Sequence, residues 1–340
     1  MTKRGVRAIV TGGALVLLIG GCASILGIPS DVERDDGTLP DGAPGDENIP
    51  PENDGDPGDA TIDVVLPDGA PPLLCDPLKP FQAPVKLEPP SANTTFEGSP
   101  RLSESELTMY FDGIRAPSGP LYTLLQATRS ALDQPFGPTT RVPGVVDRPD
   151  AHEYSPNITA DGLTLVFERQ LPGSPVSEIN IATRTLPDGG FNGGTPVNIA
   201  GTTGYEANPF IRGSANEIWF VATGPDTTID VYRATRQGAQ YNATAVAEIN
   251  SDSGDYTPVI SFDGRTIYFA SDRPGGSGGL DIWSATRPAA NGTFGKPSIV
   301  PNVNSPDNDA PGWVSADGCR LYISRQGVGT QDIWVATRPK

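Results

Sequence analysis

Histidine is nearly missing from this chain, cysteine is scarce, and positive charge is in short supply. The single histidine, His152, cannot build a histidine-rich zinc site, and the three cysteines (Cys22, Cys75, Cys319) form no Cys-x-x-Cys pair to replace one. With 24 Lys+Arg against 41 Asp+Glu, the formal charge is −17. That balance excludes nucleic acid and an anionic lipid surface as partners, because both call for a basic face. Long apolar runs are absent too. The most apolar stretch, residues 8–19, is shorter than the ~20 residues a membrane-spanning helix needs. No motif specifies a reaction, so no cofactor and no metal are expected. The 340 residues are enough for two or three ordinary domains, or for one large all-β domain.

Lys3, Arg4 and Arg7 precede the apolar run, which ends in Gly20-Gly21-Cys22. This is the charged region, short apolar region and small-residue site of a secretory signal. Ile19-Gly20-Gly21-Cys22 resembles the lipobox of bacterial lipoproteins. The resemblance implies that residues 1–21 are a signal peptide and that Cys22 becomes a lipidated N-terminus. Ala23, where an aspartate could stand, implies sorting to the outer membrane. The protein is then expected in the cell envelope, facing periplasm or exterior, and touching the membrane through its anchor only.

Residues 22–79 read as a tether. Between residues 37 and 72 there are 14 Gly or Pro, interleaved with acids such as Asp46, Glu47, Asp54 and Asp56. Such a segment has too little apolar surface to offset its ordering entropy, and disorder is expected. Every Phe, Tyr and Trp lies at or after Phe81. A coil of this length reaches roughly 40 Å, enough to hold a domain clear of a membrane.

Residues 80–340 repeat. Ala-Thr-Arg recurs with its arginine at Arg129, Arg184, Arg236, Arg287 and Arg338. Upstream of each stands an alternating run rich in β-branched and aromatic residues, such as Leu163-Thr-Leu-Val-Phe167 and Thr266-Ile-Tyr-Phe269. Asp161-Gly162, Asp263-Gly264 and Asp317-Gly318 supply hairpin turns before three of these runs. Prolines open the preceding strands at Pro100, Pro156, Pro209, Pro258 and Pro311. A further strand follows Phe136, Phe191, Tyr241 and Phe294. Four short strands repeated radially describe a β-propeller blade, and five copies predict an all-β, five-bladed propeller. The fifth copy lacks its last strand before Lys340, while Phe81-Gln-Ala-Pro84 matches Phe294-Gly-Lys-Pro297. The N-terminal strand is therefore expected to complete the last blade and remove its free edge.

Ile267-Tyr-Phe-Ala-Ser-Asp-Arg-Pro-Gly-Gly-Ser-Gly-Gly-Leu-Asp-Ile-Trp283 resembles the TolB-like propeller repeats of bacterial envelope proteins. The resemblance covers about residues 81–340. TolB itself has six blades and an extra domain, which this sequence lacks, so its partners do not transfer.

Strand direction puts two sets of residues on one face. The crossovers between units carry Glu97, Glu153, Glu206 and Asp255, each three residues before a strand proline, with Asn308 and then Asp309 in the fifth unit. The hairpins between second and third strands carry Arg115, Arg169, Arg273 and Arg325. Two readings follow: a carboxylate-lined mouth for a cation or basic peptide, or acids paired with arginines in every unit. The Ala-Thr-Arg arginines at the opposite end read as links between blades. Gly275-Gly-Ser277-Gly-Gly279 matches a nucleophile pattern, but it sits in a hairpin, where no strand-to-helix elbow can form. Cys75 and Cys319, both at strand starts of one end and the only cysteines left after lipidation, are expected to form a disulfide.

The favoured function is a non-catalytic, monomeric scaffold that binds an envelope protein or basic peptide. The alternatives are a glycan-active propeller, which needs two or three acids about 5–9 Å apart around a sugar, or a pore binding a small molecule or cation.

Overall fold

The computed structural model describes residues 75–88, 94–115, 121–144, 150–202, 204–224 and 227–340. The signal segment, Cys22 and nearly all of the 22–79 tether lie outside the described residues. The described chain is all-β, and it contains no helix long and apolar enough to cross a membrane.

Each repeat is an antiparallel meander of three main strands with a short fourth one. The first runs Thr94–Leu102, Thr108–Arg115, Tyr122–Thr128 and Thr140–Arg141. The second runs His152–Ile158, Thr164–Gln170, Ser177–Thr183 and Thr195–Pro196. The third runs Glu206–Arg212, Ser214–Thr223, Ile229–Gln237 and Gln240–Ala245, and Ile199–Ala200 adds a parallel edge to it. The fourth runs Asp255–Ile260, Thr266–Ser271, Asp281–Thr286 and Ser298–Ile299. The fifth runs Asn308–Val314, Arg320–Gly327 and Thr330–Thr337. The first strands of consecutive meanders contact one another, and the fifth contacts the first. The second strands are buried on both faces, as Leu165, Val166 and Phe167 illustrate, because each meander is covered by its neighbours.

Val85–Lys86 supplies the fifth meander's outer strand, with Val85 opposite Val335 and Lys86 opposite Trp334. The Cys75–Cys319 disulfide fastens this end, with Cα atoms 5.6 Å apart across 244 residues of sequence. Asp76 N–H donates to the Pro339 carbonyl at 2.9 Å and Gln82 N–H to that of Thr337 at 2.8 Å. By the chain-entropy account, a cross-link over so long a loop contributes about 5 kcal/mol.

The Ala-Thr-Arg arginines join neighbouring meanders. Arg184 Nε donates to the Gly162 carbonyl in its own hairpin turn, while Nη2 reaches the hydroxyl of Tyr110 in the preceding meander at 3.5 Å. Arg129 makes the corresponding contact to Tyr322, and Arg338 to Tyr268. Arg287 meets Trp219 there instead, as a cation over the ring. Four of these guanidiniums also cover the aromatic residue that opens the fourth strand: Phe136, Phe191, Phe294 and Phe81. Arg236 is the exception. The preceding meander offers Val166 at the equivalent place, and Arg236 is exposed, bonding only the carbonyl of Gly238 nearby.

Candidate functional site

The predicted acids and arginines do share one end of the meanders, and in three of them they are paired. Arg169 Nη2 lies 2.6 Å from Glu153 Oε1, Arg273 Nη2 lies 2.5 Å from Asp255 Oδ1, and Arg325 Nε lies 2.6 Å from Asp309 Oδ1. The acids are interior groups: Glu153 is 2 % exposed, Glu97 1 %, and Asp255 and Asp309 0 %. Each of these two aspartates also accepts the backbone N–H and hydroxyl of the serine four residues earlier, Ser251 and Ser305. The matching arginines donate to the crossover carbonyls of Ile249 and Val303. Acid and arginine together therefore fasten the crossover to the strand ends. Burial raises the carboxyls of Asp255 and Asp309, and their arginine and serine partners oppose it.

The other units differ. Glu206 is half-buried and accepts from the Thr202 hydroxyl at 2.6 Å, and burial raises its carboxyl. Glu97 is buried, and the Arg115 backbone ends the strand beside it. In the fifth unit Asp309, not Asn308, takes the acid's place, because the proline has moved by one. Asp309 pairs in register with Arg325 as Glu153 does with Arg169. Counting back three residues from Pro311 therefore lands one residue too far, on Asn308. Asn308 instead uses its side-chain oxygen to accept Leu280 N–H. At the Gly-rich hairpin, Ser277 and Gly278 N–H donate to Asp281 Oδ2, a loop clamp.

Four acids stay exposed on this face, beside the apolar Leu171, Val176 and Val328 of the hairpins. Glu178, at the start of a third strand, and Asp252, Asp272 and Asp307, in the hairpins and crossovers, are exposed, while Arg169, Arg273 and Arg325 are engaged in their pairs.

Further inside, the repeat symmetry breaks. Each first strand is bulged, and in four of them the residue before the proline has a left-handed backbone: Ser99 (φ 49°), Ser155 (50°), Asn208 (49°) and Thr257 (47°). Such a conformation costs a non-glycine residue on the order of 1–3 kcal/mol. In three places the preceding meander receives its N–H. Ser155 N–H donates to Asp112 Oδ2 at 2.9 Å, Asn208 N–H to Glu168 Oε2 at 3.2 Å, and Ser99 N–H to Ser324 Oγ at 2.8 Å. The position that bears Asp112, Glu168 and Ser324 holds Val221 and Ala270 in the other two meanders.

Two residues beyond the left-handed position come Arg101, Asn157, Phe210 and Val259, with Trp313 in the fifth unit. Phe210 and Trp313 touch, with ring centroids 5.9 Å apart, and the Arg101 guanidinium lies over Phe210 at 5.4 Å. The interior between the first strands is filled here. Arg101 Nη1 donates to the Gly312 carbonyl. Its Nε and Nη2, Asp112 Oδ1 and both side-chain polar atoms of Asn157 are buried without a protein partner.

Burial pushes the Asp112 carboxyl up to about 6, opposed by Ser155 N–H, Ser99 and Arg101. Burial pushes Glu168 up to about 8, against the bonds from the Ser177 hydroxyl and Asn208 N–H. It pulls Arg101 down to about 9, and Asp112 opposes that. At neutral pH the three groups therefore carry about one positive and one negative charge. No cluster of three or more metal-binding side chains occurs among the described residues.

Periodicity missed Arg101, Asp112 and Glu168. Their one sequence signal is a charge standing where other copies carry valine, alanine or an aromatic ring.

No family model and no curated protein matches the chain. Similar solved structures include TolB from Acinetobacter baumannii, at 12% identity over 72% of this chain and 55% of that one, TM-score 0.41. A glycosyl hydrolase from Bacteroides ovatus matches at 12% identity over 81% of this chain and 96% of that one, TM-score 0.48. At these values the likenesses carry no functional weight, and the site rests on the chain's own geometry.

Proposed function

We propose that this is a lipid-anchored envelope protein whose five meanders are the blades of a β-propeller, acting as a non-catalytic scaffold for a basic protein or peptide. The cyclic contacts of the first strands support the five-bladed ring. The observation that carries the binding role is the charge left on the crossover face. Three of the interior acids are spent on arginines that fasten the crossovers, and Glu178, Asp252, Asp272 and Asp307 give the rim a negative potential. The anchor rests on the Cys22 box alone.

A fluorescent lysine-rich peptide titrated against the protein tests the role. Affinity should fall steeply between about 50 and 500 mM salt, as expected for exposed charge pairs. Changing the four rim acids to Asn or Gln should abolish binding without moving the melting temperature. Salt-independent binding, or binding unchanged in the four-fold variant, would overturn the reading. For the anchor, Cys22→Ala should release the protein from membranes.

A glycan-active reading has one specific observation behind it: Asp112 and Glu168 are electrostatically coupled carboxyls, both raised, a combination that acid–base chemistry uses. Their exposure of only 0 % and 4 % counts against it, because a sugar has to reach both. Aglycone release from aryl glycosides, lost in Glu168→Gln, would restore it.

A further inference from the structure

The crossover face carries a recess that leads to Arg101. Leu280, Asn308, Gln326 and Gln331 stand at strand ends on that face, and Ser99, Arg101, Thr257 and Ser324 line the recess further in. Its inner part has room for little more than a water-sized group. Arg101 is 1 % exposed, and its one protein hydrogen bond uses Nη1. The two donors left over, Nε and Nη2, form the side-on edge of the guanidinium, the edge that grips a carboxylate with two parallel bonds. Thr257 Oγ1, on the same recess, is also buried without a partner. Buried polar atoms are rarely left so, and several on one recess mark a place built for something the chain does not supply.

The nearby acid does not fill that role. Asp112 acts on Arg101 through space, but no ion pair joins them, and Asp112 Oδ2 is committed to Ser155 N–H. The surroundings of the recess add a second constraint. Asp307 is exposed beside Gly327, and Asp252 and Asp272 lie on the same face. A free anion approaching this face meets a negative rim. A ligand bearing both a carboxylate and positive charge meets an attractive rim and then a cationic end.

We propose that the recess takes the C-terminal carboxylate of a basic peptide, which docks end-on with its carboxylate on Arg101 Nε and Nη2 and its lysine or arginine side chains on the rim acids. This rests on the basic-partner reading above and names the end of the partner that enters. The narrow inner part excludes a bulky side chain.

The test compares three probes on the full chain: a lysine-rich peptide with a free C-terminus, the same peptide amidated, and acetate. The free acid should bind about ten-fold or more tighter than the amide, and millimolar acetate should compete with the acid only. In Arg101→Gln the acid and the amide should bind alike. Should that variant not fold, the acid-to-amide ratio in the unaltered protein and the acetate competition decide alone. Equal binding of acid and amide overturns the proposal while leaving the basic-partner reading standing. If neither peptide binds, both fall. Saturable acetate binding without acid–amide discrimination also overturns it, and assigns the recess to a small free carboxylate.

Discussion

If Asp309 and Arg325 are a strut, breaking the pair should cost stability rather than recognition. Asp309 is 0 % exposed and holds Arg325 at 2.6 Å together with the N–H and hydroxyl of Ser305. Asp309→Asn leaves the Arg325 guanidinium mostly buried with a weaker partner. Removing one member of a buried pair typically costs about 3–5 kcal/mol. For a domain of this size each kcal/mol moves the melting temperature by about 2–4 °C, so a fall of roughly 10 °C is expected. Arg325→Met should cost a similar amount. The double variant should recover part of the loss, because no charge is then left alone, giving a coupling of about 1–3 kcal/mol. Thermal unfolding by calorimetry at neutral pH reads all three, and added salt should change the single-variant loss little, since the pair is shielded from solvent. A melting temperature unmoved by Asp309→Asn, with peptide binding lost, would refute the strut and return these acids to the recognition surface.

Two further outcomes follow from individual contacts. Arg184→Ala should destabilise by about 2 kcal/mol, since it removes bonds to Gly162, Gly189 and Tyr110 and a ring contact, whereas Arg236→Ala should fall within about 0.5 kcal/mol of the unaltered protein; equal losses in chemical denaturation would contradict the link between meanders. Glu168, whose carboxyl lies at about 8 in the fold, binds a proton there that the unfolded chain has already released above pH 5. Its contribution to stability is therefore lost as pH rises towards 8, and Glu168→Gln should gain on the unaltered protein across that window, by up to about 4 kcal/mol at pH 8; parallel melting profiles of the two from pH 5 to 8 would exclude it. Asp112 and Tyr154 stand close by, and Arg101 acts on Asp112, so the slope is shared with them.

Much of the architecture was legible because a repeat states it five times. The second-strand runs, the Ala-Thr-Arg ends and the completing strand at Val85–Lys86 follow from aligning copies, and the Cys75–Cys319 bond from the two cysteines left after lipidation standing at strand starts of one end. The site was not legible in that way. Whether Glu153 is free or paired depends on its lying opposite Arg169 across the ladder, and that register is set by a bulge no spacing reveals. In the fifth unit a one-residue move of the proline hides Asp309 behind Asn308. Arg236 became the exposed exception for a reason in another copy, the valine at Val166, which sequence alignment within its own unit cannot show.

The departures from symmetry carry more functional weight than the symmetry does. Val221 occupies the place of Asp112 and Glu168, yet Thr257, the bulge residue facing it, keeps the same left-handed backbone at 47°. The bulge therefore forms without a carboxylate to receive its N–H, and the fold does not demand Asp112 or Glu168. The same holds for Arg101, whose place is taken elsewhere by Asn157, Phe210 and Val259. Buried charge is costly where an apolar residue would fit, because the ions lose their hydration. The first copy nonetheless keeps Arg101 and Asp112, and the second keeps the ionisable Glu168, and a recess on the crossover face leads to Arg101. Charge retained where valine suffices points to a ligand, and the unfilled Nε and Nη2 edge of Arg101 is where that ligand would be held.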